Sequence, residues 1–99
     1  MQTHSITLGM NIPDAGTVTN QMWIDFLNVT VLASLEYATI TDAVGIYKGT
    51  VEQSKVISVS TDDTAVVDAL LEVGDAYKKA FKQDAIMYTV LPVPLLQFT

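Results

Sequence analysis

The 99-residue sequence predicts an α+β domain in the order β-α-β-β-α-β, one four-stranded antiparallel sheet with two helices on one of its faces. Three observations carry this. Residues 5–12 alternate between small polar and apolar side chains, the period of a half-buried strand. Around Trp23 and around Leu70, apolar residues recur at spacings of three and four, the period of a helix that buries one side. Between and after these stretches lie runs rich in β-branched residues, punctuated by glycine turns.

In the first strand Ile6, Leu8, Met10 and Ile12 form the apolar side, and Ser5, Thr7, Gly9 and Asn11 the small polar one. Pro13-Asp14-Ala15-Gly16 ends it as a turn. A helix follows, capped by the hydroxyl of Thr17 or of Thr19. Its stripe is Met22, Trp23, Phe26, Leu27 and Thr30, and it runs to Leu32 or Ser34, with the β-branched run Val29-Thr30-Val31 weakening its last turn. Glu36 to Lys48 forms the second strand, Ala38 and Ile40 inward, and Gly45 marks a bulge or a close backbone approach. Gly49-Thr50 fits a type II′ hairpin turn, which takes glycine first. The third strand runs from Val51 to about Ser60, with Ile57 and Val59 on one face and Val56, Ser58 and Ser60 on the other.

Asp62 or Asp63 caps the second helix, whose stripe is Val67, Leu70, Leu71, Tyr77 and Phe81. Lys78, Lys79 and Lys82 sit favourably at the negative end of its dipole. In the fourth strand, Ala85 to Val90, the residues Ile86, Tyr88 and Val90 alternate against Ala85, Met87 and Thr89. With right-handed crossovers this order is the ferredoxin-like split βαβ fold, which places both helices on one sheet face. The other face carries Ser5, Thr7, Thr39, Ser58, Ser60, Met87 and Thr89.

One domain spans residues 1–99, without repeats or a low-complexity linker. With 49% hydrophobic and 16% charged residues, and a mean hydropathy of +0.34, the chain is more apolar than a lone domain of this size needs. The uncovered sheet face is therefore expected to meet copies of the same chain. The apolar tail, residues 92–99, is expected to dock on the domain or on a neighbouring subunit.

Several function classes are disfavoured. Eleven acidic against five basic residues give a net charge of −6, which repels phosphate backbones, so nucleic acid is not expected as a partner. No apolar stretch approaches the roughly 20 residues of a membrane span. Met1-Gln2-Thr3-His4 has no basic region followed by an apolar run, and the expected location is the cytoplasm. The absence of cysteine excludes disulfides, thiolate metal sites and a cysteine nucleophile. His4 is the only histidine and reads as a surface strand residue, which leaves no support for a Ser-His-Asp triad or a multi-histidine metal site. No phosphate-binding glycine loop occurs, and the position of Asp62-Asp63 before an apolar helix is explained by capping.

The central hairpin is more informative. With Gly49-Thr50 at its turn, Tyr47 stands directly opposite Glu52 on one sheet face, so that a phenol and a carboxylate share one small area. The same pattern also describes an exposed cross-strand pair flanking a turn. Gln83-Asp84 lies in the connection between the second helix and the last strand, and Trp23 reads as a core or interface aromatic.

Thr41-Asp42-x-x-Gly45-x-Tyr47, then Glu52-x-x-Lys55 opening a β-rich strand, then Gln83-Asp84 after a helix ending in an aromatic-rich turn, follow one another between Thr41 and Tyr88. In order and context these motifs resemble the phage-encoded S-adenosylmethionine-degrading enzymes, first called hydrolases and now understood as lyases. The resemblance implies a homotrimer of α/β sandwiches like the nitrogen-regulatory PII proteins, with active sites between subunits. It implies a cofactor-independent and metal-independent conversion of S-adenosylmethionine to 5′-methylthioadenosine and L-homoserine lactone by attack of the substrate's own carboxylate. It also implies a role against host restriction-modification in the cytoplasm of an infected bacterium. Carried over position by position, Tyr47 and Glu52 match the catalytic tyrosine and glutamate, Asp42 a neighbouring aspartate and Gln83 a polar ligand-contacting position. Met87, on the uncovered sheet face, joins Asp42 and Gln83 as a substrate-binding residue. The spacing from Tyr47 to Glu52 is compressed relative to the family.

The chain also resembles an uncharacterised bacterial family of small proteins, with a similar glutamate-containing strand and an aromatic-x-Gln-acid ending. The alternative expectation is therefore a non-catalytic, PII-like trimeric small-molecule-binding or regulatory protein. A third is a purely structural oligomer subunit.

Overall fold

A computed structural model describes residues 1–99. Strand β1 (Gln2–Gly9) leads through a small hairpin of β2 (Asn11–Ile12) and β3 (Gly16–Thr17) to helix α1 (Asn20–Phe26). The helix continues through a π-helical turn (Leu27–Val31) into α2 (Leu32–Ser34). Strands β4 (Thr39–Tyr47) and β5 (Thr50–Thr61), helix α3 (Thr64–Phe81) and strand β6 (Met87–Pro92) complete the chain. The four long strands form one antiparallel sheet in the order β4-β5-β1-β6, the ferredoxin-like arrangement expected from the element order.

The alternation in β1 decides which face is which. His4, Ile6 and Leu8 are buried beneath the helices, while Thr3, Ser5, Thr7 and Gly9 point to the opposite face. Opposite residues share a face, so the pairing of Ile6 with Ile57 and of His4 with Val59 adds Ile57 and Val59 to the core. Trp23, Phe26 and Val31 from the first helical stretch close over them, with Leu70, Val73 and Tyr77 from α3. Each such side chain contributes about 1.5–3 kcal/mol by leaving water. Phe26, Tyr77 and Phe81 form an aromatic cluster with centroids 4.8–5.9 Å apart.

Thr19 caps the first helix, accepting from the Met22 N–H at 3.1 Å, and Asp63 caps α3, accepting from the Ala65 N–H at 2.9 Å. The β-branched run Val29-Thr30-Val31, where a weak last turn is expected, falls in the π-helical turn, which buries Val31 and leaves Val29 exposed. Gly74 lets the segment before β6 lie against α3, since a side chain there would run into Ile86.

Several expectations change in detail. The hairpin turn is Lys48-Gly49, one residue earlier than expected, and both residues have positive φ (48° and 79°), as in a type I′ turn. That turn matches the right-handed strand twist, and Gly49 takes its second central position without strain. Pairing then runs unbroken from Thr39 opposite Ser58 to Tyr47 opposite Thr50, so Gly45 forms no bulge and Glu52 stands opposite Gly45 rather than Tyr47. Strand β4 starts at Thr39, leaving Ala38 outside it, and Ile40 is partly exposed because β4 is an edge strand. Strand β6 begins at Met87 and extends to Pro92, following its pairing with Thr7 through Gln2. His4 is buried, not on the surface, because it falls on the helix side of β1; its Nδ1 lies 2.6 Å from the Tyr88 hydroxyl and the two rings stack.

The face opposite the helices is uncovered, as the element order predicts. Its hydroxyls satisfy one another across β1 and β5, Thr3 with Ser60 at 2.7 Å and Ser5 with Ser58 at 2.8 Å. By register, Glu52 is the only charged strand residue on this face. In the tail, the Val93 N–H donates to the Met1 carbonyl at 3.0 Å, while Leu95 and Phe98 are exposed. No helix is long and apolar enough to cross a membrane.

Candidate functional site

Glu52 lies at one end of the uncovered face, beside glycines on both neighbouring strands. Gly45 is its partner in β4, and Gly9 ends β1 next to it. A Cβ on Gly9 would lie 2.9 Å from Glu52 Oε2 and 3.0 Å from Cδ and Oε1, so the carboxylate rests where a side chain would otherwise be. On Gly45 a Cβ would meet nothing closer than the Glu52 carbonyl oxygen at 4.0 Å, which keeps that side open.

The residue after β1's turn away from the sheet organises the rest. The Asn11 N–H donates to Glu52 Oε2 at 2.9 Å, and the Asn11 carbonyl accepts from Gln83 Nε2 at 2.7 Å. Gln83 Nε2 also donates to the Phe81 carbonyl at 3.3 Å. Both partners of that nitrogen are acceptors, which fixes the carboxamide orientation and leaves Gln83 Oε1 free. The end of α3 delivers Gln83: Lys82 adopts the left-handed conformation (φ 55°), and the Gln83 N–H closes back on the Lys78 carbonyl at 3.0 Å, a Schellman-type stop.

Tyr77 supports the floor. Its ring is fully buried and its hydroxyl donates to the Gly9 carbonyl at 2.6 Å. Burial, and secondarily the negative charge of Glu52, pushes its phenol up to about 12.

Glu52, Gln83 and Met87 line one cleft of about 230 Å³, with Thr7, Gly9 and Gly45 among its walls. Glu52 is its only charged side chain. With Oε2 tied to Asn11, and the Gln83 nitrogen tied to two carbonyls, the polar side-chain atoms these two residues offer to a ligand are acceptors. Such a cleft favours a cation rich in N–H and O–H groups.

Tyr47 is on the same sheet face but at the hairpin tip, 73% exposed, with Lys48 Nζ 5.3 Å from its ring. Asp42 is on the opposite face, in an ion pair with Lys55, whose ammonium lies 5.5 Å from the Trp23 ring. Within one chain, then, three of the five expected site residues meet. Gly9, Asn11 and Tyr77 were not anticipated. A glycine in a strand signals a close approach, which gave a hint for Gly9; Asn11 acts through its backbone and leaves no side-chain signature.

Among solved structures, the chain is similar to a phage SAM lyase in complex with S-methyl-5′-thioadenosine, with a TM-score of 0.65 and 18% identity over 91% of this chain and 79% of that one. It is likewise similar to a phage SAM lyase in the apo state, with a TM-score of 0.64 and 20% identity over 91% and 78%. At this identity the likeness is one of fold, and the fold is that of the SAM lyase structures. No curated protein matches the sequence. Residues 3–95 match the model of a family described as a protein of unknown function, DUF3574, and the chain belongs to that family.

Proposed function

We propose that this chain is a lyase that converts S-adenosylmethionine to 5′-methylthioadenosine and L-homoserine lactone. The observation that carries the reading is a single carboxylate, Glu52, beside the free carboxamide oxygen of Gln83 in an otherwise uncharged cleft. The SAM lyase fold around it supports the same reading.

In the reaction the substrate's own carboxylate attacks its γ-carbon. A C–O bond forms, the C–S bond breaks, and the sulfonium leaves as a neutral thioether, with no water or cofactor consumed. The leaving group is already activated and the nucleophile is part of the same molecule, so the protein's task is to restrict the methionyl arm to an attack geometry, an effect of several kcal/mol. Charge is lost along this path. A carboxylate pressed on the sulfonium would stabilise the ground state more than the transition state, so Glu52 serves better by holding the substrate ammonium. Gln83 Oε1 is available to a ribose hydroxyl, and Met87 supplies an apolar wall.

A cleft of about 230 Å³ is small beside the roughly 300–1,000 Å³ of ligand pockets. In our reading it is completed by a second copy, the uncovered and nearly uncharged sheet face assembling a homotrimer. Tyr47, a diagonal same-face neighbour of Glu52 at the exposed hairpin tip, then closes the open end of the site, while Asp42, on the far side of the sheet and paired with Lys55, reaches substrate only as a residue contributed to a neighbour's site. The apolar tail docks within the same assembly. Loss of a methyl donor in the cytoplasm of an infected bacterium would counteract host restriction-modification.

Asp42, held by Lys55 on the opposite sheet face and away from the cleft, favours a second reading, a trimeric PII-like protein that binds the same class of cation without turning it over. Incubation with S-adenosylmethionine, followed by NMR, separates the two. Methylthioadenosine formed faster than in buffer supports the lyase; saturable binding without product supports the regulatory protein.

A further inference from the structure

Gly9 has no backbone reason to be glycine. Its φ is not positive, and its pairing with Ser54 in the β1–β5 ladder would admit any residue. Glycine inside a strand gives up packing and backbone order. What the missing side chain provides is room, since a Cβ there would lie 2.9–3.0 Å from the three terminal atoms of Glu52. Around this contact the chain is fixed from two other directions. The buried Tyr77 hydroxyl holds the Gly9 carbonyl at 2.6 Å, and two residues on, the Asn11 N–H holds Glu52 Oε2 at 2.9 Å.

We propose that Gly9 is a positioning residue of the site, its bare Cα being the seat on which the Glu52 carboxylate rests, with Tyr77 and the Asn11 amide holding that seat in place. The inference rests on the reading of Glu52 as the ligand-holding carboxylate. A glutamate on a strand has several rotamers open to it, and each costs ordering entropy when a ligand selects one. Tying one oxygen to a backbone N–H and laying the group on bare backbone settles the rotamer before the ligand arrives. The atoms that an alanine at position 9 would strike belong to the end of a flexible side chain, so the fold can accept that alanine while the carboxylate cannot stay where it is.

The test is Gly9→Ala, read in two ways. In the unsubstituted protein the Asn11 amide proton should be shifted downfield and protected from hydrogen exchange by its bond to Glu52 Oε2, and Glu52→Ala should remove both signs. In Gly9→Ala the shift and the protection should likewise be lost, and kcat/KM for S-adenosylmethionine should fall about 100-fold, the scale of a 1 Å misplacement. Tyr77→Phe, which keeps the ring, should weaken both signals in the same direction. An Asn11 amide that stays shifted and protected in Gly9→Ala would overturn the proposal. Should the unsubstituted protein show no turnover, the lyase reading fails, and the Asn11 amide still decides the role of Gly9 by itself.

Discussion

Glu52 and Gln83 are held by opposite ends of one residue: the Asn11 N–H donates to Glu52 Oε2 at 2.9 Å, and the Asn11 carbonyl accepts from Gln83 Nε2 at 2.7 Å. A strand residue and a helix-terminal residue, 31 positions apart in sequence (83 − 52), are thereby set in one frame. The frame consumes the donor capacity of Gln83 and one oxygen of Glu52, and what remains for a ligand is acceptor oxygen and one negative charge.

Glu52→Gln preserves shape but removes the charge. The amide oxygen can still accept from Asn11, while the NH₂ group then faces a cationic ligand. Loss of one charge-assisted hydrogen bond, about 1.5–3 kcal/mol, lowers kcat/KM by roughly 10- to 150-fold with the thermal midpoint little changed. Steady-state kinetics beside a melting curve check both halves, and undiminished turnover would remove Glu52 from the site.

Gln83→Glu tests the frame from its other end. A carboxylate cannot donate to the Asn11 carbonyl, and it brings a second negative charge into the cleft. Leaving that carbonyl without its partner costs about 1–3 kcal/mol, and the second carboxylate repels the first across the cleft. Denaturant unfolding in low and high salt separates the two effects, since salt screens only the repulsion. Gln83→Met should show a loss of stability of similar size that salt does not change.

Tyr77 gives the fold an alkaline limit. Its phenol ionises near 10 in the unfolded chain and is pushed up to about 12 in the fold, by burial first and by the Glu52 charge second. The unfolded chain therefore loses its proton first. The stability that this difference contributes is complete below pH 10 and is lost as pH rises through about 12, by about 1–3 kcal/mol in all. Urea unfolding at stepped pH should show this decline, Tyr77→Phe should abolish it, and Glu52→Gln should move its end to lower pH.

Much of this arrangement was legible in the residues. The alternation from Ser5 onward assigned both faces of the sheet, because burial on one side leaves a period of two that no other element has. The caps at Thr19 and Asp63 each lay within the pair of candidates offered by the sequence. His4 misled because a single polar residue does not report which side of its strand is covered. The hairpin misled by one position, since Lys48 can adopt a left-handed conformation that its side chain does not announce, and that shift moved Glu52 from Tyr47 to Gly45. The Asn11 link was illegible because both of its bonds come from the backbone.

The uncovered sheet face gives a prediction about assembly. Val56 pairs with Thr7 on one side and Thr41 on the other, at the middle of that face. Val56→Lys places a charge where a second copy would pack, while leaving the helix side of the sheet untouched. Sedimentation should show a trimer for the parent chain and a folded monomer for this variant, with turnover lost; a parent chain that sediments as a monomer would remove the second copy from the site.

The most direct measurement is of the products formed from S-adenosylmethionine in water labelled with oxygen-18. Attack by the substrate's own carboxylate predicts methylthioadenosine and homoserine lactone appearing together, the first lactone free of label, with both slowed in Glu52→Gln. No methylthioadenosine above the spontaneous rate would contradict the lyase, and homoserine labelled in its hydroxyl before any lactone appears would contradict the route.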